Sequence, residues 1–245
     1  MRYLVLSDIH ANLEALEAAL AAAAGGHDRV LVLGDLVGYG AEPNRVVERI
    51  RALSPAFIIR GNHDKAACGI DDALSFNPVA RRAAEWTYET LTADNREFLR
   101  DLAAGPVLVD RDIEICHGAP FDEDAYIFDA ADAWRALELT RAGLCFFGHT
   151  HIAVAFLRSG QAFEAIVPEN GETTVQARNG RRLLVNPGSV GQPRDGDARA
   201  AFAIYDDQTG VVVLRRVDYP IAQAQEKIIA AGLPRALANR LSVGR

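Results

Sequence analysis

Apolar residues in this chain recur with two periods. Tyr3–Leu6, Val30–Leu33 and Phe57–Ile59 are short apolar runs of the length and composition of buried strands. Between them, Asn12–Ala24 and Glu42–Leu53 carry apolar positions at helical spacing. Asn12 reads as a helix cap, while Gly25-Gly26 and Ser54-Pro55 read as stops. The alternation predicts a parallel sheet covered by helices. It breaks between Lys65 and Ala104, where helices over about Pro78–Leu91 and Ala93–Leu102 follow one another with no strand between them. Val107–Val109 and Ile113–Cys116 then read as a hairpin, Ala130–Arg141 as a helix and Leu144–Phe147 as a strand. Six short runs divided by turn residues come next: Val154–Leu157, Ala162–Val167, Thr173–Gln176, Arg182–Val185, Ala201–Tyr205 and Val211–Arg216. They predict an antiparallel second sheet, and Pro220–Leu241 closes the chain with one or two helices. The expected fold is α/β: a four-layer αββα sandwich of two mixed β-sheets flanked by helices. It is expected to form one domain over residues 1–245, with a helical insertion at about 65–104.

Composition narrows the function. Apolar residues make up 49% and charged residues 24%, which is enough apolar material for a core. The net charge of -7, from 33 acidic and 26 basic residues, argues against general binding to a phosphate backbone. Cys68, Cys116 and Cys145 are odd in number and form no CxxC pair, so no disulfide framework or zinc ribbon is expected. The opening MRYLVLSDIH reaches a charge too soon for a signal peptide, and no apolar run is long enough to cross a bilayer. These features predict a cytoplasmic protein without membrane attachment.

The chemistry sits where the strands stop. Successive apolar runs end in Asp8/His10, Asp35, Asn62/His63, His117 and His149/His151. The carboxyl ends of parallel strands lie along one edge of a sheet, so residues distant in sequence converge there. Five of the six histidines fall in these positions; the sixth, His27, reads as a solvated loop residue. The donor set mixes carboxylate, imidazole and one amide oxygen without thiolate. Those donors suit manganese, iron, cobalt or zinc, and disfavour a calcium cage or a structural zinc site. Seven candidate ligands are best used by two ions sharing a carboxylate.

These blocks resemble the calcineurin-like metallophosphoesterase superfamily. Asp8-Ile9-His10, Gly34-Asp35, Gly61-Asn62-His63-Asp64, His117-Gly118 and Gly148-His149-Thr150-His151 reproduce its D-x-H, G-D, G-N-H-[DE], H and G-H-x-H pattern in order. Asn186-Pro187-Gly188-Ser189 is similar to a segment of its small bacterial members. The resemblance implies one ion held by Asp8, His10 and His151, another by Asn62, His117 and His149, and Asp35 between them. It implies attack on phosphorus by a hydroxide held between the ions. His63 would stabilise the transition state or protonate the leaving oxygen, and Asp64 would orient His63 or cap the helix that follows. Where many relatives carry glycine after the first histidine motif, this chain has Ala11-Asn12. Asn12 is therefore a candidate substrate contact as well as a cap. Tyr39 is a candidate for stacking on a base or aryl group, and Arg194 for neutralising a phosphate oxygen.

The expected activity is metal-dependent hydrolysis of a phosphate mono- or diester, with a small phosphorylated molecule as substrate. A non-catalytic metal-binding scaffold of the same fold and a nuclease are the alternatives. Phase-matched aromatics in the insertion, Phe76, Trp86 and Tyr88, are expected in the core rather than at a substrate platform.

Overall fold

The computed structural model describes residues 1–169, 171–177 and 180–245. Strands β1 (Arg2–Leu6), β2 (Arg29–Val32) and β3 (Phe57–Ile58) run parallel, linked by helices α1 (Leu13–Ala22) and α2 (Pro43–Leu53). The insertion contains α3 (Asn62–Cys68), α4 (Pro78–Thr90) and α5 (Ala93–Arg100). Its first helix begins at Asn62, inside the Gly61–Asp64 motif. Then come the hairpin β4 (Val107–Leu108) and β5 (Ile113–Ile115), followed by α6 (Ala130–Leu139) and β6 (Leu144–Phe146). The remaining elements are β7 (Val154–Ser159), β8 (Ala162–Ile166), β9 (Thr173–Gln176), β10 (Arg182–Asn186), β11 (Ala200–Asp206), β12 (Val211–Val217), α7 (Ile221–Ala230) and α8 (Arg235–Leu241).

The six late strands do not make a sheet of their own, as the sequence pattern suggested. One sheet has the order β3-β2-β1-β11-β12-β9 and the other β4-β5-β6-β10-β7-β8. β11 pairs antiparallel with β1, and β10 pairs parallel with β6. The late strands thus satisfy edges that the early strands leave open, because an unpaired row of backbone N–H and C=O groups is costly. Both sheets are mixed in consequence.

Alternation along each strand builds the layers. Leu4 and Leu6 of β1, with Val30 and Val32 of β2, pack against α1, α2, α7 and α8. The intervening Tyr3, Val5 and Leu31 face the other way, meeting Phe146, Leu183 and Ala155 between the sheets. On the far side of the second sheet, Cys145, Phe156 and Leu184 receive Ala133, Ala136 and Leu137 of α6. Successive side chains of a strand point to opposite faces, so strands apolar throughout are filled on both sides. The result is helices, sheet, sheet, helix. All three cysteines are buried and unbridged. No helix among the described residues is long and apolar enough to cross a membrane.

Candidate metal centre

The two sheets share one functional rim. The first supplies Asp8, His10, Asp35 and Asn62 from the ends of β1, β2 and β3; the second supplies His117, His149 and His151 from the ends of β5 and β6. Convergence therefore occurs across two sheets, not along one parallel edge. The loops are zipped beyond the strands. Asp8 N donates to Gly34 O at 3.1 Å, His10 N to Asp35 O at 3.0 Å, and Gly148 N to His117 O at 2.8 Å.

Five candidate ligands occupy left-handed backbone: Asp8, His10, Asp35, His149 and His151, with φ between 51° and 67°. Residues with side chains seldom adopt this region and need surrounding structure to hold them there. The segment that follows β10 supplies much of that hold. Asn186 Nδ2 donates to Gly148 O and Thr150 Oγ1, and Ser189 Oγ donates to Asp8 O at 2.7 Å. Gly191 N also donates to Asp8 O, at 3.0 Å. Asn186 and Ser189 are fully buried, and the sequence flagged their segment without giving it a task.

Ring nitrogens reveal where a cation fits. His10 Nδ1, His117 Nδ1 and His151 Nδ1 lie 3.0, 2.8 and 2.7 Å from the carbonyls of Val37, Leu33 and Gln192. A carbonyl only accepts, so each Nδ1 carries a proton, and in the neutral rings of His10 and His151 Nε2 presents a bare lone pair. His10 Nε2 and His151 Nε2 face each other at 3.0 Å, and both approach Asp8 Oδ1, at 3.9 and 3.4 Å. Asp35 Oδ1 accepts from His63 N at 2.8 Å. Its Oδ2 is buried without a hydrogen bond, 3.5 Å from His10 Nε2 and from His117 Nε2. His149 is reversed: Nε2 donates to Asp124 O at 3.0 Å, leaving Nδ1 bare. Two groups result, Asp8/His10/Asp35/His151 and Asp35/His117/His149, with ligand atoms in each within 4.8 Å of one another. Asn62 Oδ1 joins the second group, 3.2 Å from His117 Nε2. Facing lone pairs and an orphaned carboxylate oxygen repel without a positive charge among them, so these residues fit metal ions.

Protonation follows the same geometry. Burial pushes His10 and His151 well below the usual imidazole range, and burial with the nearby His117 pushes His149 to about 3. Burial would lower His117 too, but the carboxylate of Asp35 outweighs it and raises His117 to about 10. Asp8 rises to about 6, through burial and the like charge of Asp35. His63 falls to about 4, through burial and the positive charges of Arg194 and His117, against the pull of Asp35. At neutral pH its imidazole is uncharged and offers a single N–H.

The other candidates divide. His63 lines the cleft, its ring wedged by Tyr39 at 4.2 Å and Phe76 at 4.7 Å between centroids. Its Nδ1 has no hydrogen-bond partner. A Cβ on Gly38 would meet that nitrogen at 2.5 Å, in a backbone already at φ +90°. Asp64 does not reach the ring. Its carboxylate accepts from Gly61 N at 3.0 Å and Val37 N at 3.2 Å, at the N-terminus of α3. It fixes the backbone beside Asp35, which corrects the expectation that it orients the imidazole.

Asn12 likewise braces backbone. It is buried, its oxygen caps α1 through Ala15 N at 3.1 Å, and its amide donates to Gly191 O at 2.9 Å. Tyr39 lines the cleft, but its ring packs on His10 and His63. Arg194 holds its guanidinium 5.5 Å over Tyr39 and donates to Gln192 Oε1 at 2.9 Å. Its Nε has no partner, and no carboxylate pairs with it among the described residues. His27, expected in solvent, is half-buried with Nδ1 donating to Ala23 O at 2.9 Å, at the end of α1. Phe76 packs against the core, as expected, and also lines the cleft.

Gly61 tests how tightly this centre is built. A Cβ there would lie 2.1 Å from Asp35 Oδ1 and 2.6 Å from Asp35 N. Gly61→Ala is expected to lower metal affinity by about 10–100-fold, the usual cost of disturbing groups that orient ligands. Competition with a chromophoric chelator would measure it; unchanged affinity would mean the loop yields.

Residues 1–210 match the calcineurin-like phosphoesterase superfamily domain. An uncharacterized protein of Methanocaldococcus jannaschii is 34% identical over 247 residues, covering 98% of this chain and 97% of that one. A metallophosphoesterase from Sphaerobacter thermophilus superposes with a TM-score of 0.89 at 39% identity, over 100% of both chains. A hypothetical protein from Pyrococcus horikoshii has the same fold, with a TM-score of 0.80 at 23% identity, over 100% of this chain and 98% of that one.

Proposed function

Since the chain belongs to the calcineurin-like phosphoesterase superfamily, we propose that it hydrolyses small phosphate mono- or diesters with two transition-metal ions, manganese, iron, zinc or cobalt. The observation that carries the reading is Asp35 Oδ2, buried and unpartnered between imidazoles of both ligand groups. Asp8, His10 and His151 would hold one ion, Asn62, His117 and His149 the other, and Asp35 both. When bound, such ions neutralise phosphoryl oxygens and lower the pKa of water to supply a nucleophile near neutral pH.

The chain's own groups do the rest. His63, uncharged and wedged in place, donates its N–H to a phosphoryl or leaving-group oxygen. Arg194 offers an unpaired cation to a phosphate oxygen. Asp64 acts at one remove, holding the backbone on which Asn62 and His63 sit.

The deciding experiment is hydrolysis of p-nitrophenyl phosphate and bis-p-nitrophenyl phosphate by chelator-treated protein, with Mn²⁺, Fe²⁺, Zn²⁺ or Co²⁺ restored. Metal-restored turnover is expected, and the ratio of the two rates separates phosphatase from phosphodiesterase. Two bound ions with no turnover of any ester would favour a scaffold. Metal removal should also lower Tm. An ion at about 100 times its Kd stabilises by about 2.7 kcal/mol. For a chain of this size that is about 5–10 °C, readable by calorimetry before and after chelation. An unchanged Tm would count against ions in this centre.

A further inference from the structure

Beside the metal centre lies an open cleft of about 520 Å³, lined by His63, His149, Phe76 and Tyr126 among others. That volume suits a small organic ligand. Its outer wall is the loop between β5 and α6, to which the sequence assigned nothing. There Tyr126 lies flat on His149, with ring centroids 3.9 Å apart and planes 20° apart. Phe128 stacks nearly parallel on Tyr126, at 5.0 Å and 10°. Both rings remain in water, Tyr126 45% and Phe128 62% exposed. A single exposed apolar side chain means little. Two parallel exposed rings stacked on a candidate ligand form a surface matched to another flat ring.

The loop is also held still. Glu123 accepts from Nη2 and Nε of Arg60, at 3.0 and 3.2 Å, and Asp124 takes the buried ammonium of Lys65 at 2.7 Å. The Asp124 carbonyl in turn receives the His149 ring. Tyr126 therefore stands at a fixed offset from the metal centre. Phe76 faces it from the insertion's side of the cleft, and the charged residues lining the cleft are Asp71 and Asp124. A second phosphate would meet carboxylates there.

We propose that this cleft takes an uncharged aromatic ring, such as a nucleobase, carried by the phosphate ester, with Tyr126 in its lining as the stacking partner and Phe128, stacked on Tyr126 outside the lining, holding that ring in place. The inference rests on the phosphoesterase reading for its phosphate end only. The stack sets selectivity: ring-bearing esters gain affinity that aliphatic esters of the same phosphate cannot.

The test compares kcat/KM for adenosine 5′-monophosphate and ribose 5-phosphate in the wild type, Tyr126→Leu and Phe128→Leu. The ratio between substrates cancels general damage to the metal centre. The wild type is expected to favour the nucleotide by at least about tenfold, and loss of a ring to cut the ratio by about tenfold through KM. Equal kcat/KM for both esters, or a ratio that survives both substitutions, overturns the platform and leaves phosphoesterase activity intact. Adenosine binding to chelator-treated protein, by calorimetry, separates the remaining case. If neither monoester turns over, the p-nitrophenyl esters decide the phosphoesterase reading separately; saturable adenosine binding weakened in both variants still supports the platform, and its absence overturns it.

Discussion

Asp35→Asn is expected to lower kcat/KM for any hydrolysed ester by about 10³-fold or more, and to reduce bound metal from two ions per chain towards one. The substitution keeps the size of the side chain and an oxygen able to accept from His63 N, now 2.8 Å from Oδ1. It removes the charge and replaces Oδ2, the atom between His10 Nε2 and His117 Nε2. A metal ion contributes several kcal/mol of transition-state stabilisation, and each 1.4 kcal/mol is about tenfold in rate. Losing the shared carboxylate weakens both ions together, so no neighbouring position is expected to cost more. Elemental analysis beside steady-state kinetics reads both effects. A variant with two ions and turnover within tenfold of the wild type would show that Asp35 does not bridge.

His63→Asn is expected to cost about 10²–10³-fold in kcat while leaving metal content unchanged. His63 is next to a candidate ligand in sequence, yet its ring lies off the centre, packed between Tyr39 and Phe76. Its backbone N–H, not its ring, is what Asp35 uses. Replacing the imidazole would therefore remove the proposed donor to the phosphate while keeping the backbone N–H on Asp35. Because burial and nearby positive charge push its pKa to about 4, the contribution is that of a neutral N–H. The rate supported by His63 should hold level from pH 8 down to about pH 6. Loss of bound metal in the variant would place His63 among the structural supports of the centre instead.

Some of this was fixed locally and could be read from the chain. Short runs of three to six residues marked the strands, and the apolar stretches Tyr3–Leu6 and Val30–Leu33 already implied burial on both faces, as found. The seven metal-capable residues stood out because strand ends are local features, and a strand's end is visible wherever an apolar run stops at Asp or His. Beside Asn62, Gly61 allows the close backbone approach that the structure shows at Asp35.

What the chain could not show was the choice of partners. Periodicity says which face a residue takes, not which strand will lie beside it. β11 joins β1 and β10 joins β6 because those edges would otherwise be unpaired, and the choice is made by chain about 40–200 residues away. The same limit governed the side chains. Asn12 and Asp64 are polar residues near a site, and only the N–H groups that reached them decided that they brace backbone. Tyr126 lay outside every motif; it reached the centre when ion pairs from Arg60 and Lys65 folded its loop over His149. Local sequence determined the elements and the candidate ligand residues, since both depend on a few neighbouring residues. Tertiary structure decided the sheet partition, the bracing and the cleft, since each is a contact between distant segments with no period to betray it.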